Sequence, residues 1–468
     1  MTVDAEPSLD PWLTGANEPV HDELDVADLE VEGELPAGLQ GAYLRNGPNP
    51  QFDPVGRYHL FDGDGMLHGV YLQDGKARYR NRWVESKGLL AERRRGQACY
   101  GGLSHFVLPD ADVLAEGGML KNTANTHVVR HAGSIYALLE AAPPTVVSSA
   151  LETLGETDFD GALAGPMTAH PKLDPVTGEM LFFGYSPFPP FLRFHTVDAE
   201  GTLVRSVELD LPRAVMMHDF VVTERHAVFF DLPAVFDVQA LMAGGPGISW
   251  QPQHGARIGV LPRSAESGDE VRWFQVPPFY AFHFLNGWDA DDGRSITVLG
   301  CRNDRLPIAF GDEEIGSVQP SLHRWTISLD TGEVLEEQLD DRPGDFPRVA
   351  PAQETRPGRY GYVASIRHKD GIDGGFDGIT KHDLQLGTSE VHEVGAGRQS
   401  GEAVFAPNPD GTGEDDGWLL NMVVDKATRD TELWVLDATD VAAEPLAKVR
   451  MPRRVPPGFH GSWMPDVG

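Results

Sequence analysis

Four histidines carry the clearest chemical signal in this chain: His170 in TAHPKLDP, His218 in MMHDFVV, His283 in FHFLNGWD and His460 in GFHGSW, each set among turn and aromatic residues. Should their rings converge, they make an all-imidazole metal site. Their separations of 48, 65 and 177 residues exclude a single helix, where ligands recur every three or four residues, and no cysteine pair accompanies them as in a structural zinc module. Ligands this far apart need a radial or barrel-like scaffold that brings one residue from each of several distant units to a shared axis. With 17 histidines in the chain, spacing alone does not separate ligands from core or surface residues.

The elements that would position them read as strands. Short apolar runs rich in Val, Ile, Phe, Tyr and Trp recur between turn signals, as in SIYALLE, EMLFFGYS, HAVFFDLP, SITVLGCR, HRWTISLD, YGYVASIR, WLLNMVVD and TELWVLD. DPVTGE, DAEGTL, DADDGRS and LDTGEV place Asp and Gly where tight reversals need them. With 52 Gly and 36 Pro, helices cannot dominate. No WD or kelch signature repeats cleanly, so periodicity supports a large all-β protein and leaves sandwich, barrel and propeller open. Stretches 145–165 and 233–252 break the strand rhythm and read as excursions above the sheets, and 409–417 as a polar loop tip.

Composition narrows the partners. The formal net charge of −33 disfavours a nucleic-acid partner, because phosphate binding needs positive charge to displace counterions. Cys99 and Cys301 are too few for a disulfide framework, which points to a reducing cytoplasm. The acidic N-terminus does not read as a signal peptide, and no apolar run is long enough to span a bilayer, so a soluble or at most peripheral protein is expected. Neither a G-x-S-x-G elbow nor a G-x-x-x-x-G-K phosphate loop is present.

The segments LRNGPNPQF (44–52), HLFDGDGMLHGV (59–70), NTANTHVV (122–129), AHPKLDPVTGEM (169–180), MHDFVVTE (217–224), FHFLNGWD (282–289) and GFHGSW (458–463) resemble the carotenoid cleavage oxygenase family, in family order and across nearly the whole chain. The resemblance implies an all-β, seven-bladed β-propeller. It would form one domain over 1–468, with an N-terminal extension at 1–35 and a helical and loop dome built near 145–165 and 233–252. It further implies Fe(II) on the propeller axis, held by His170, His218, His283 and His460. Glu140, Glu354 and Glu402 would stand behind the ligands, leaving His170 without a carboxylate partner, and Thr126 would lie beside an open iron position. His68 and His127 fall in matched segments away from ligand positions and read as structural, while His195 and His368 have no supporting motif.

Imidazole also suits zinc, copper and nickel, so coordination number has to discriminate. Four nitrogens on a six-coordinate ion leave two neighbouring positions for O2 and substrate, whereas four on zinc close the site. Neutral ligands leave the ion's charge uncompensated, so carboxylates are needed to accept the second ring N–H and fix each tautomer.

The reaction the resemblance implies is O2-dependent cleavage of a conjugated carbon–carbon double bond in a carotenoid or apocarotenoid, giving carbonyl products. An apolar polyene calls for an aromatic-lined tunnel, with Phe282, Phe284, Phe459 and Trp463 as candidate walls. The dome segment 230–248, with Val235, Phe236, Leu241 and Met242, offers a peripheral membrane contact. In stilbene-cleaving relatives a lysine precedes the first glutamate. Here that residue is Leu139, which argues against phenolic stilbenes, although Lys121 and Tyr100 remain available as polar contacts. A stilbene-cleaving dioxygenase, a retinoid-type isomerase and a non-catalytic propeller are the alternatives. Oligomeric state is not legible.

Overall fold

Short antiparallel strands joined by Asp–Gly turns dominate the computed structural model, which describes residues 10–243, 245–308, 319–366 and 375–467. His368 lies outside them. The turn chemistry is local and explicit. After Lys172–Leu173, Asp174 Oδ1 accepts the Val176 and Thr177 amides at 2.9 and 3.2 Å, and Gly178 at φ +73 completes the reversal into Met180–Tyr185. The DAEGTL turn works the same way: Asp198 Oδ1 accepts the Thr202 amide at 2.8 Å and Gly201 sits at φ +92.

The strands form seven blades among the described residues. Their innermost strands, in chain order, are His127–His131, Lys172–Leu173, Val221–Val222, Tyr280–Asp289, Gly344–Arg348, Arg398–Gln399 and Gly461–Pro465. The last pairs antiparallel with Gly41–Pro48, so the C-terminal strand completes the first blade and closes the ring. Asp25–Val26 and Val31–Gly33, inside the expected N-terminal extension, add outer strands to the first and seventh blades. The cores lie between neighbouring blades. One joins Phe183, Phe194, Phe220 and Phe229 across the third and fourth, and another joins Phe230, Phe284 and Trp325 across the fourth and fifth.

Stretch 145–165 is in part blade rather than dome: Thr145–Val147 and Thr153–Glu156 are the outer strands of the second blade. They are three and four residues long, too short for a legible alternation, and one is an edge strand with a register shift. Stretch 233–252 does leave the blades, as a two-stranded sheet of Ala234–Phe236 and Ile248–Trp250 around a short helix, Val238–Met242. Two further helices cover the same face. Helix α1 (Lys87–Arg95) starts where Ser86 Oγ accepts the Leu89 amide and stops at left-handed Gly96, and α2 (Ala111–Gly117) packs on it.

Candidate metal centre

The ring fold turns sequence distance into proximity. His170, His218 and His460 lie within three residues before the innermost strands of the third, fourth and first blades, and His283 lies within that of the fifth. All four are buried, and one ring nitrogen from each lies within 4.8 Å of the others. His218 Nε2 is 3.0 Å from His170 Nε2 and 3.3 Å from His283 Nε2. Side chains at matching ends of successive inner strands face the axis, which is how a propeller assembles a site no single segment contains.

Carboxylates fix the tautomers. His218 Nδ1 donates to Glu140, whose other oxygen accepts the Tyr185 hydroxyl at 2.6 Å. His460 Nδ1 donates to Glu402 Oε1 at 2.8 Å, and His283 Nδ1 donates to Asp345 Oδ1 at 2.8 Å. Because a carboxylate accepts only, each of these Nδ1 atoms carries a proton, and a neutral ring then keeps its lone pair on Nε2. Lone pairs 3.3 Å apart in a buried site repel unless a cation lies between them. Separations of 3.0 and 3.3 Å are what two nitrogens keep when both bind one ion at about 2.1 Å. Burial pushes His170 and His460 well below the usual imidazole range, so both stand neutral as ligands must. At His218 burial acts the same way, but the Glu140 charge outweighs it and raises the group.

Glu354 does not take the place expected of it. Asp345 stands behind His283 instead, and Glu354 accepts the Leu173 amide beside Lys172 and Arg348, its carboxyl pushed up by burial. Asp345 begins the inner strand in GDFPR, and the register shift that turns it to His283 has no counterpart in the residue pattern. Tyr185 and Arg348 carried no sequence signal. His127 stays outside the ligand group: its Nδ1 donates to Ala169 O at 2.8 Å, supporting the residue before His170. His68 bonds the Tyr79 hydroxyl at 2.7 Å inside the first blade.

Above the four rings lies a mostly apolar cavity of about 650 Å³, lined by Phe61, Phe282, Phe346 and Phe459 and capped by the 233–252 segment. Thr126 lines it too, with its hydroxyl donating to Asn125 Oδ1 at 3.0 Å. Phe282 meets the His218 ring edge-on at 5.0 Å between centroids. The other two candidate walls belong to the core. Phe284 stacks on Phe230 at 3.9 Å, and Trp463 packs with the Tyr43 cluster. Lys121 reaches the cavity but pairs with Asp64 and Glu92, and Tyr100 also lines it, with its hydroxyl against Gly117. Changing Glu140 to Gln should lower metal affinity by roughly ten to a hundredfold, read by chelator competition, because the proton on His218 Nδ1 loses its anionic acceptor.

The chain matches the family model described as retinal pigment epithelial membrane protein over residues 17–465. A carotenoid 9,10(9',10')-cleavage dioxygenase of Crocus sativus is 36% identical over 96% of this chain and 88% of its own length. The crystal structure of Pseudomonas brassicacearum lignostilbene dioxygenase aligns with a TM-score of 0.91 at 33% identity, covering 98% of this chain and 99% of that one. Cobalt-substituted Synechocystis apocarotenoid oxygenase aligns with a TM-score of 0.86 at 28% identity, covering 97% and 98%.

Proposed function

The chain belongs to the carotenoid cleavage oxygenases, the family whose model bears the retinal pigment epithelial membrane protein description, and from that premise we propose a non-haem Fe(II) dioxygenase that cleaves a conjugated double bond of a carotenoid or apocarotenoid. Oxygenative cleavage is the chemistry its named relatives share. The observation that carries the reading is the convergence of imidazole nitrogens on the floor of an apolar cavity, with carboxylates fixing three of the four tautomers.

In this reading His170, His218, His283 and His460 hold iron, and Glu140, Glu402 and Asp345 orient three of them. Bound ferrous iron supplies O2 activation, which no side chain can provide. The chain's own residues do the rest. Phe282, Phe346 and Phe459 align the polyene and exclude water, and Thr126 narrows the space beside the metal with a stiff, branched side chain.

A stilbene substrate is the second reading, favoured by the likeness to lignostilbene dioxygenase. Leu139 and the engaged Lys121 leave that end of the cavity without a free lysine for a phenol, which favours the polyene. Metal analysis of anaerobically purified protein, then oxygen uptake and product identification with carotenoids, apocarotenals and stilbenes, tests the proposal. Ferrous iron, O2 consumption and aldehyde or ketone fragments are expected. Products isomerised without O2 uptake, or a closed zinc site, would sink it.

Exposed Leu103, Met119, Leu120, Phe188 and Met242 ring the cavity, an apolar rim that suits collection of a polyene from a lipid surface. No described helix is long and apolar enough to cross a membrane. Leu120→Glu with Met242→Glu should lower co-sedimentation with phosphatidylcholine vesicles several-fold while leaving metal content unchanged. The free thiols Cys99 and Cys301 suit a reducing compartment.

A further inference from the structure

We propose that Arg348 is a positioning residue for the metal centre, acting through Glu402 on His460. The inference rests on the reading that the four histidines hold a metal. Arg348 Nε donates to Glu402 Oε1 at 2.8 Å, and Nη2 donates to Glu402 Oε2 at 3.2 Å and to Gly461 O at 2.7 Å. Nη2 also lies 3.1 Å from His127 Nε2, which accepts because His127 Nδ1 is committed to a carbonyl. One guanidinium thus touches the seventh, first and second blades from its own place in the sixth, and it spans the seam where Gly461–Pro465 closes the ring.

The backbone is bent to allow this. Residues three apart on a regular strand point to opposite faces, so Asp345 and Arg348 could not both reach the axis. The register between Gly344–Arg348 and Tyr360–Ser365 shifts between those two residues, and Phe346 between them sits at φ 52, in the left-handed region. The irregularity turns Asp345 to His283, Phe346 onto the His283 and His460 rings, and Arg348 to Glu402.

The three carboxylates behind the ligands therefore have different supports. Glu140 accepts a neutral phenol and Asp345 the Phe346 amide at 2.9 Å, whereas Glu402 is faced by a cation and also accepts the Gly461 amide at 2.8 Å. A carboxylate sharing its charge with a fork of guanidinium donors is locked in angle and is a weaker acceptor for the imidazole behind it. His460 should accordingly be the most rigidly aimed of the three partnered ligands and the least electron-rich.

Arg348→Lys, which keeps the charge and loses the fork, separates positioning from charge balance. The expected result is a ten to a hundredfold loss of Co(II) affinity by chelator competition, a changed visible Co(II) spectrum, and a metal-free melting temperature within a few degrees of the parent. In a Glu402→Gln background the same change should add little, because the effect runs through that carboxylate. Parent-like affinity and spectrum in Arg348→Lys would overturn the proposal. So would full additivity with Glu402→Gln, or a loss that appears only with a collapse of metal-free stability. A parent protein that binds no metal would instead overturn the reading beneath it.

Discussion

Replacing His218 with alanine is expected to yield a β-rich protein that retains no metal and cleaves no polyene. Both short nitrogen contacts in the site run through His218 Nε2, at 3.0 Å to His170 and 3.3 Å to His283, so its loss removes the node of the ligand set. It also leaves Glu140 facing the site with the Tyr185 hydroxyl as its one remaining hydrogen-bond partner among the described residues, a negative charge without a nitrogen donor. The loss should exceed the ten to a hundredfold typical of outer partners. The fold should survive, because the adjoining core of Phe183, Phe220 and Phe229 does not include the ring. Metal content, oxygen uptake and circular dichroism measure the three consequences separately. Parent-like oxygen-dependent turnover would refute the ligand assignment.

The second large effect is expected at Asp345. Removing its carboxylate by Asp345→Ala frees the His283 ring to rotate and to exchange tautomers, and should cost about a hundredfold in metal affinity or activity. Glu354→Gln is the matched comparison. Its carboxyl is held by the Leu173 amide and touches none of the four ligands by a hydrogen bond, so affinity should stay within about threefold of the parent. The reverse pattern would restore Glu354 to the position expected from the sequence. The pair is informative because both acids are partly buried beside the same axis, and they differ in what they hold.

The parts of the fold legible in sequence were those carried by local chemistry. SITVLGCR and WLLNMVVD are strands because long branched and aromatic runs have few alternatives, and they appear as Ser295–Asn303 and Gly417–Asp425. The number of blades and the register of ring closure depend on contacts across hundreds of residues, such as Arg45 with Gly461, which no window of sequence contains. The outer strands of the second blade are not legible in the sequence because three or four residues carry no period.

The site divides in the same way. The four histidines and Glu140 and Glu402 sit in extended motifs and could be picked out by position. Asp345 depends on a bulge that the residue types do not announce, and Arg348 matters through three partners in three other blades. Long cationic side chains can go to many places, and only tertiary geometry selects one. Phe284 and Trp463 failed as cavity walls for a related reason, since an aromatic beside a ligand on a strand can equally face the blade interior.

Closure of the ring by Gly461–Pro465 on Gly41–Pro48 has a consequence for biogenesis. During synthesis His170, His218 and His283 leave the ribosome well before His460, while the strand that must receive Gly461–Pro465 has been waiting since the start of translation. A half-made chain therefore lacks both the fourth imidazole and the strand that anchors it, so the four-nitrogen set is complete only once the ring has closed.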